Sequence, residues 1–119
     1  MRDLAQIVLD QTQAYNDKDL DKLLSGLAEN YESYIVGPEG PKLRARGKAE
    51  VGERIGRMFA ATGYAESRVE DVRVYGQLAV ALEIDSFDTP AGRKTMRSIG
   101  LYEFDADRLV RAWSFPVRD

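Results

Sequence analysis

The order of the predicted secondary-structure elements indicates an α+β fold, in which helices cover one face of an antiparallel sheet. Two helical segments come first, a third follows a pair of short strands, and four further strands complete the chain. Those four strands are joined by short turns, and such strands form an antiparallel meander rather than a parallel βαβ sheet. The 119 residues contain no internal repeat and no long linker, so we predict one domain over residues 1–119.

Three segments have the spacing of apolar residues that is typical of amphipathic helices. The first runs from about Asp3 to Tyr15. The second follows a capping residue at Asp19 and is closed by Glu29–Asn30. The third runs from Gly47 to about Thr62, and Gly63 is suited to end it. The apolar stripes are Leu4, Ile7, Val8, Ala14 and Tyr15 with Gln11 among them, then Leu20, Leu23, Leu24 and Leu27, then Val51, Ile55, Met58 and Phe59.

Six segments are rich in β-branched and aromatic residues or alternate in polarity, and turn residues separate them. The predicted strands are Tyr31–Val36, Lys42–Arg46, Ser67–Tyr75, Leu78–Phe87, Arg93–Phe104 and Leu109–Val117. The turns between neighbouring strands are Gly37–Pro41, Gly76–Gln77, Thr89–Gly92 and Asp105–Asp107. Only the connection that contains the third helix is long.

The composition excludes several kinds of chemistry. The chain has no Cys and no His, which rules out disulfides, thiolate nucleophiles, and Ser-His-Asp or Cys-His mechanisms. Its 17 basic and 20 acidic residues give a net charge of -3, which disfavours nucleic acid or an anionic membrane as partner. No apolar run reaches the roughly 18 residues of a membrane span, and the first residues lack a signal-peptide pattern. We therefore expect a cytoplasmic protein without metal or cofactor.

Several segments, taken together and in this order, resemble one known superfamily. They are AYNDKDLDKLL at Ala14–Leu24, RGKAEV at Arg46–Val51, and the final strand pair Gly92–Phe104 and Leu109–Phe115. The chain resembles the nuclear transport factor 2-like superfamily, which includes ketosteroid isomerases, limonene epoxide hydrolases and small polyketide cyclases. The resemblance implies a curved sheet that wraps around three helices into a cone with an apolar pocket. It also implies a homodimer formed through the outer face of the sheet.

The resemblance does not extend to the catalytic residues of ketosteroid isomerases. Those enzymes use an Asp as base, and a Tyr and a protonated Asp as oxyanion hole. The resemblance places the tyrosine at Gln11, the base near Tyr34 or Ile35, and the oxyanion-hole Asp near Gly100. None of the three residue types is kept, so steroid isomerisation by that mechanism is not expected.

The other two chemistries of the superfamily are also missing. The Asp-Arg-Asp set of the epoxide hydrolases would fall near Glu83-Ile84-Asp85 and Ser114, where one Asp remains at most and the Arg is absent. The polyketide cyclases are expected to use a His-Asp pair, and the chain has no His. The resemblance therefore implies a pocket but none of these three mechanisms.

Glu83 and Asp85 are the candidate base of the pocket. Two residues apart on a strand, they point to the same face and lie about 7 Å from each other. If Thr89 pairs with Gly92, then Glu83 lies opposite Ser98, and small residues leave space around both carboxylates. In a dry pocket the two would couple and one pKa would rise, as a general base requires. The alternatives are a solvated outer face, or a one-residue slip that pairs Glu83 with an arginine.

Other polar and aromatic side chains are candidate ligand contacts, each with a structural alternative. Gln11 lies on an apolar stripe, so its amide bonds either a ligand or the backbone. The aromatic candidates belong to the core unless their hydroxyls reach a ligand. The basic residues Lys42, Arg44, Arg46 and Lys48 are interpreted as a solvated edge. The predicted ligand-binding residues are Gln11, Tyr15, Tyr34, Phe59, Ser98, Gly100, Tyr102 and Ser114.

Three functions remain open at this point. The first is a homodimeric pocket protein that binds an apolar or aromatic small molecule. The second is a cofactor-independent isomerase, lyase or cyclase that uses a pocket carboxylate for proton transfer. The third is a non-catalytic association module with a collapsed cone. Neither the ligand nor the presence of catalysis can be decided from the residues alone.

Overall fold

The computed structural model of the chain describes residues 3–61, 63 and 65–117. In chain order the elements are α1 (Leu4–Asn16), α2 (Leu20–Ser25), β1 (Leu27–Gly37), β2 (Gly40–Arg46), α3 (Lys48–Ala60), β3 (Ala65–Tyr75), β4 (Leu78–Thr89), β5 (Gly92–Asp105) and β6 (Arg108–Pro116). The end predicted for the third helix, Thr62, lies outside the described residues. None of the described helices is long and apolar enough to span a membrane.

The strands form one curved, open sheet in the order β2-β1-β6-β5-β4-β3, which confirms the α+β cone. Strands β3 to β6 are the predicted antiparallel meander. The sheet differs from the predicted antiparallel one in a single pair, because β1 and β6 run parallel. The chain between them passes through β2, α3 and three strands, and a connection of that length permits parallel pairing.

The sheet has an inner face towards the helices and an outer face away from them. The inner face carries Ala81, Gly100 and Ser114, which lie opposite one another on β4, β5 and β6. The outer face carries Leu101 and Trp113, which are the corresponding pair one residue along. Side chains of α1 and α3 pack on the inner face to form the core. The buried core consists of Leu4, Ile7, Val8, Leu27, Tyr31, Ala45, Val51, Ala79, Ala81, Phe104 and Leu109.

A two-residue turn fixes the register of β4 against β5. Thr89 pairs with Gly92, whose φ of +111° suits glycine, and Glu83 therefore lies opposite Ser98. The Thr89 hydroxyl donates to the Gly92 carbonyl at 2.6 Å and accepts the Ala91 N–H at 3.2 Å. The predicted register is confirmed, and the alternative one-residue slip is wrong.

The boundary between α2 and β1 lies earlier than the sequence predicts. The helical spacing of leucines predicted a helix that closes at Glu29–Asn30, whereas α2 ends at Ser25 and β1 begins at Leu27. Leu27 pairs with Leu109 of β6 and is only 2% exposed. The Gly26 carbonyl accepts the N–H of Leu109 at 2.9 Å. Sheet pairing at a buried position therefore overrides the local helical pattern.

Asn16 fastens the end of α1 to β3. Its Nδ2 donates to the Ser67 carbonyl at 2.7 Å, and its Oδ1 accepts the Ser67 N–H at 2.8 Å. The amide thus occupies both backbone groups of one strand residue, as a neighbouring strand would. This contact sets the position of α1 above the inner face.

Candidate functional site

A cavity of about 650 Å³ lies between the helices and the inner face of the sheet. Its apolar wall includes Val8, Leu27, Ile55, Phe104 and Leu109. Small-molecule sites in proteins typically have volumes of about 300–1,000 Å³ and mainly apolar walls with a few polar groups. The dimensions and composition of this cavity fit that description.

A carboxylate and a phenol meet at the sheet side of the cavity. The Tyr102 hydroxyl, on β5, donates to Oε2 of Glu83, on β4. The two side chains lie on either side of Gly100 and converge above it. A Cβ at Gly100 would collide with the Glu83 carboxylate and come within 2.8 Å of the Tyr102 hydroxyl. The absence of a side chain at Gly100 therefore makes this hydrogen bond possible.

Burial makes Glu83 a weaker acid than an ordinary glutamic acid. Loss of water raises the pKa of Glu83, and the hydrogen bond from Tyr102 opposes this effect. The charge of Asp85 raises the same pKa further, whereas the charge of Arg44 lowers it. Since burial has the largest effect, the Glu83 carboxylate binds a proton more readily than a solvated one.

Tyr102 and Tyr31 stay protonated because they are buried beside this carboxylate. Burial raises the pKa of Tyr102 well above its ordinary value, and the Glu83 charge adds to the effect. Burial also raises the pKa of Tyr31, which is 8% exposed and lines the cavity. Both phenols are therefore hydrogen-bond donors at neutral pH.

Asp85 forms a second polar position at the cavity wall, close to Tyr15. Burial raises the pKa of Tyr15, and the charge of Asp85 raises it further. The Tyr15 ring contacts Phe59 edge to face, with ring centres 5.7 Å apart. Both Tyr15 and Asp85 line the cavity, whereas Phe59 supports Tyr15 without lining it. A ligand oxygen at this position would meet a phenol and a carboxylate side by side.

Gln11 and Ser114 also lie at the cavity wall. The Gln11 amide nitrogen donates to the Leu23 carbonyl at 3.1 Å. One of its two N–H groups is therefore bonded to the backbone, which was one of the two alternatives for this residue. Its second N–H is the one that a ligand would use. Ser114 lies opposite Gly100 on the inner face, as predicted.

Besides Phe59, three of the predicted ligand contacts do not line the cavity: Tyr34, Ser98 and Gly100. Tyr34 stacks on Trp113, with ring centres 5.9 Å apart, and its hydroxyl donates to Glu32 at 3.0 Å. Ser98 is 5% exposed, and its hydroxyl has no hydrogen-bond partner in the described part of the chain. Gly100 acts on the site by leaving space above it, as described. Ser98 and Gly100 lie on the inner face, whereas Tyr34 stacks on Trp113 of the outer face and is therefore not directed towards the cavity.

Two residues of the site were not singled out as ligand contacts in the sequence. The sequence pattern assigns Tyr31 only to the start of a strand, although an aromatic residue in an alternating pattern is a signal for a wall position. Arg44 was counted as part of a solvated basic edge, yet it lines the cavity. Of that edge, Arg46 pairs with Glu32 at 2.7 Å, and Lys48 lies 3.9 Å from an exposed glutamate.

Among the described residues, no group of three or more potential metal-ligating side chains comes together. Glu83 and Asp85 are a pair, and the nearby groups that interact with them include the phenols of Tyr102 and Tyr15 and the charge of Arg44. The expectation that the site works without metal or cofactor stays a prediction.

Comparison with known proteins places the chain in a family. The SnoaL-like domain matches residues 8–112, so the chain belongs to the SnoaL-like domain family of the nuclear transport factor 2-like superfamily. No significant match is found among curated protein sequences.

Solved structures share the fold at low sequence identity. An LEH-like epoxide hydrolase of M. tuberculosis superposes with a TM-score of 0.83 at 18% identity, covering 96% of this chain and 82% of its own. TerC, co-crystallised with polyporic acid, gives 0.76 at 17% identity, with coverages of 98% and 91%. A putative ketosteroid isomerase of Kribbella flavida gives 0.75 at 13% identity, with 98% and 78%. At these identities the likeness shows the fold alone.

Proposed function

We propose that the chain binds an apolar or aromatic small molecule in the cavity. The observation that carries this proposal is the cavity itself, about 650 Å³ in volume, whose wall combines apolar side chains with polar and charged ones. Glu83 with Tyr102, Asp85 and Gln11 would orient the ligand. A cavity of this size argues against the third hypothesis, a collapsed cone that serves only for association.

The fold comparison adds support of a general kind. TerC, which has the same fold, has been co-crystallised with the small molecule polyporic acid. Other proteins of this fold include an epoxide hydrolase and a putative ketosteroid isomerase. The ligand of this chain is not defined by these relatives, because their sequence identity is too low.

A fluorescent probe tests binding in the cavity directly. N-phenylnaphthylamine is neutral, aromatic and small enough for the cavity, and its emission rises in apolar surroundings. We expect saturable binding to the wild-type chain. Replacement Ser114→Phe puts a ring into the cavity and should abolish binding. The matched control is Ser86→Phe, on the same sheet but outside the cavity lining, which should bind as the wild type does.

Two results would contradict the proposal. One is the absence of saturable binding to a folded wild-type chain. The other is equal binding to both phenylalanine variants, which would place the probe on another surface. Circular dichroism of each variant shows whether the fold is intact.

Proton-transfer catalysis is the second candidate, and the raised pKa of Glu83 favours it. A Glu83 carboxylate would take a proton from a carbon next to a ligand carbonyl, which leaves an enolate and a neutral carboxylic acid. The protonated Tyr15 phenol and the free N–H of Gln11 are the donors available to the enolate oxygen. Tyr34, which the sequence predicts as a ligand contact, does not line the cavity and is not available as a donor there.

Exchange of the α-protons of β-tetralone in deuterium oxide, followed by proton NMR, tests this candidate without knowledge of the substrate. We expect the wild-type chain to accelerate exchange and Glu83→Gln to lose most of that acceleration. The Asp85→Asn variant shows whether the second carboxylate contributes to the acceleration. If a wild-type chain that binds the ketone gives no acceleration, catalysis by proton transfer is excluded for this class of carbon acid and binding alone stands.

We also propose that the chain forms a homodimer through the outer face of the sheet. Large apolar side chains on that face are well exposed, among them Leu43 at 45%, Ile99 at 41%, Leu78 at 38% and Phe115 at 37%. Several large apolar side chains exposed on one face of a sheet favour association through that face. A cytoplasmic location stays a prediction, which fractionation of cells producing the chain would test.

A further inference from the structure

Three arginines lie on the cavity wall formed by β2 and α3. Arg44, Arg54 and Arg57 all line the cavity and are exposed on its open side. Arg57 has Glu53 at 3.5 Å, one helical turn away. In the described part of the chain, neither Arg44 nor Arg54 has a carboxylate within ion-pair distance.

A β-bulge directs Arg44 to this position. Ser33 of β1 pairs with Ala45, whereas the next residue, Tyr34, pairs with Leu43. Arg44 is therefore the extra residue of β2, and a bulge of this kind changes the direction in which a side chain points. Without it, Arg44 would follow the alternation of its strand, on the face opposite the inward-facing Ala45.

Arg54 is held beside Arg44 by a specific contact. Its Nη1 donates to the Arg44 carbonyl at 2.6 Å, which fixes the guanidinium of α3 next to the bulge. The contact is to the main chain of Arg44, and it brings a second positive charge to the wall of the cavity that Arg44 lines. An anion at this wall would be attracted by both charges. Arginine forks match the geometry of oxyanions, to which they donate parallel hydrogen bonds.

The carboxylates of the cavity come from a different wall. Glu83 and Asp85 lie on β4, whereas the two unpaired guanidinium groups come from β2 and α3. An amphipathic acid would therefore enter in one orientation, with its anionic group at the arginines and its apolar body against the interior. The opposite orientation would bring two negative charges against the anion.

We propose that the ligand of this cavity is an organic acid, in which a carboxylate or comparable oxyanion bound by Arg44 and Arg54 is attached to an apolar or aromatic body. This inference rests on the proposed function, since it names the class of molecule that the same cavity takes. Its basis is the bulge, the contact of Arg54 with the Arg44 carbonyl, and the finding that no carboxylate of residues 3–61, 63 and 65–117 lies within ion-pair distance of either arginine.

A matched pair of ligands separates charge from shape. Naphthoate and naphthamide have the same aromatic body and nearly the same outline, but only the first is an anion at neutral pH. Each is used to displace N-phenylnaphthylamine from the wild-type chain. We expect naphthoate to compete about tenfold more tightly than naphthamide, as one charge-assisted hydrogen-bonded contact provides. Added salt should weaken naphthoate alone.

The variants Arg44→Gln and Arg54→Gln should each remove most of the preference for naphthoate and leave naphthamide unchanged. Arg73→Gln is the matched control, because Arg73 is an exposed arginine outside the cavity lining and should keep the preference. Thermal unfolding shows whether each variant is folded. If one of the two cavity variants does not fold, the other still tests the inference.

Each outcome has a distinct meaning. Equal competition by naphthoate and naphthamide against the wild-type chain overturns the organic-acid inference and leaves the proposed function standing. A preference that survives in both cavity variants overturns it as well, because the anion would then bind elsewhere. Failure of N-phenylnaphthylamine itself to bind contradicts the proposed function, and with it this inference.

Discussion

Gly100→Ala is the smallest change that tests the geometry of the polar pair. Glu83 and Tyr102 meet in the space that an alanine methyl group would occupy, 2.8 Å from the Tyr102 hydroxyl and closer still to the carboxylate. Contacts below 3.0 Å are not tolerated by a Cβ atom, so one of the two side chains must move. We expect the variant to separate the phenol from the carboxylate while the backbone stays in place, because Gly100 does not have a positive φ.

The cost follows from two opposing contributions. Loss of a hydrogen bond to a charged group in a partly buried site destabilises a protein by about 1.5–3 kcal/mol. Replacement of a glycine by alanine at a compatible backbone position stabilises by about 0.4–1 kcal/mol. The net expectation is a loss of roughly 0.5–2.6 kcal/mol in the free energy of unfolding. Because the bond from Tyr102 lowers the pKa of Glu83, the variant should also raise that pKa further.

Urea unfolding gives the free energy, and an NMR titration of the side-chain carboxyl carbon gives the pKa. The matched control is Gly37→Ala in β1, where a Cβ would meet nothing within 4 Å. This control should be neutral or slightly stabilising. If Gly100→Ala proves as stable as Gly37→Ala, or if the pKa of Glu83 falls, the contact between the carboxylate and the phenol is not the one described.

Three further predictions concern pH, the position of α1 and the outer face. The folded-state pKa of Glu83 is raised above 4.5, so its stabilising contribution is complete below that value and is lost as the pH rises through the folded-state pKa. Relative to Glu83→Gln, the wild type should therefore lose stability as the pH rises. A difference in unfolding free energy between the two proteins that does not change with pH in urea unfolding would refute this. Asn16→Asp replaces the N–H group that donates to the Ser67 carbonyl of β3 by an oxygen, and should lower the free energy of unfolding by about 1–3 kcal/mol in urea. The exposed control Asn30→Asp should lower it by less than about 0.5 kcal/mol. If the proposed homodimer forms, Ile99→Glu on the outer face should convert it to monomer in analytical ultracentrifugation, and Leu9→Glu, equally exposed on α1, should not. A dimer that persists in Ile99→Glu would contradict the proposed interface, and a monomeric wild-type chain would contradict the homodimer itself.

The position of Glu83 could be predicted because one turn determines it. Thr89 and Gly92 flank a two-residue connection, and a connection of that length leaves one register for the strands on either side. From it, the inward direction of Glu83 and Asp85 and their opposite residues followed by alternation alone. Local sequence is sufficient where a short turn joins the two strands concerned.

The position of Arg44 could not be predicted, because its causes lie far away in the chain. The alternation of side chains along β2 predicts that Arg44 points away from the cavity. Only the pairing of β2 with β1 shows that Arg44 is the extra residue of a β-bulge. The parallel pairing of β1 with β6 has the same origin: it joins residues about 80 positions apart, as in Ser33 with Ala112. No local pattern encodes a contact of that separation.

The polar groups of this cavity also show why the residue at one position does not decide whether a site has chemistry. The superfamily resemblance places an oxyanion-hole carboxyl near Gly100, and the glycine there removes that group. The same glycine opens the space in which Glu83 and Tyr102, each two positions from the Ala81–Gly100 pair, form their hydrogen bond. A carboxyl group and a phenol thus reach the same part of the inner face from neighbouring positions. The glycine that removes the oxyanion-hole carboxyl is also the residue that leaves room for the hydrogen bond between Tyr102 and Glu83. This polar pair therefore depends on Gly100 as much as on its two partners.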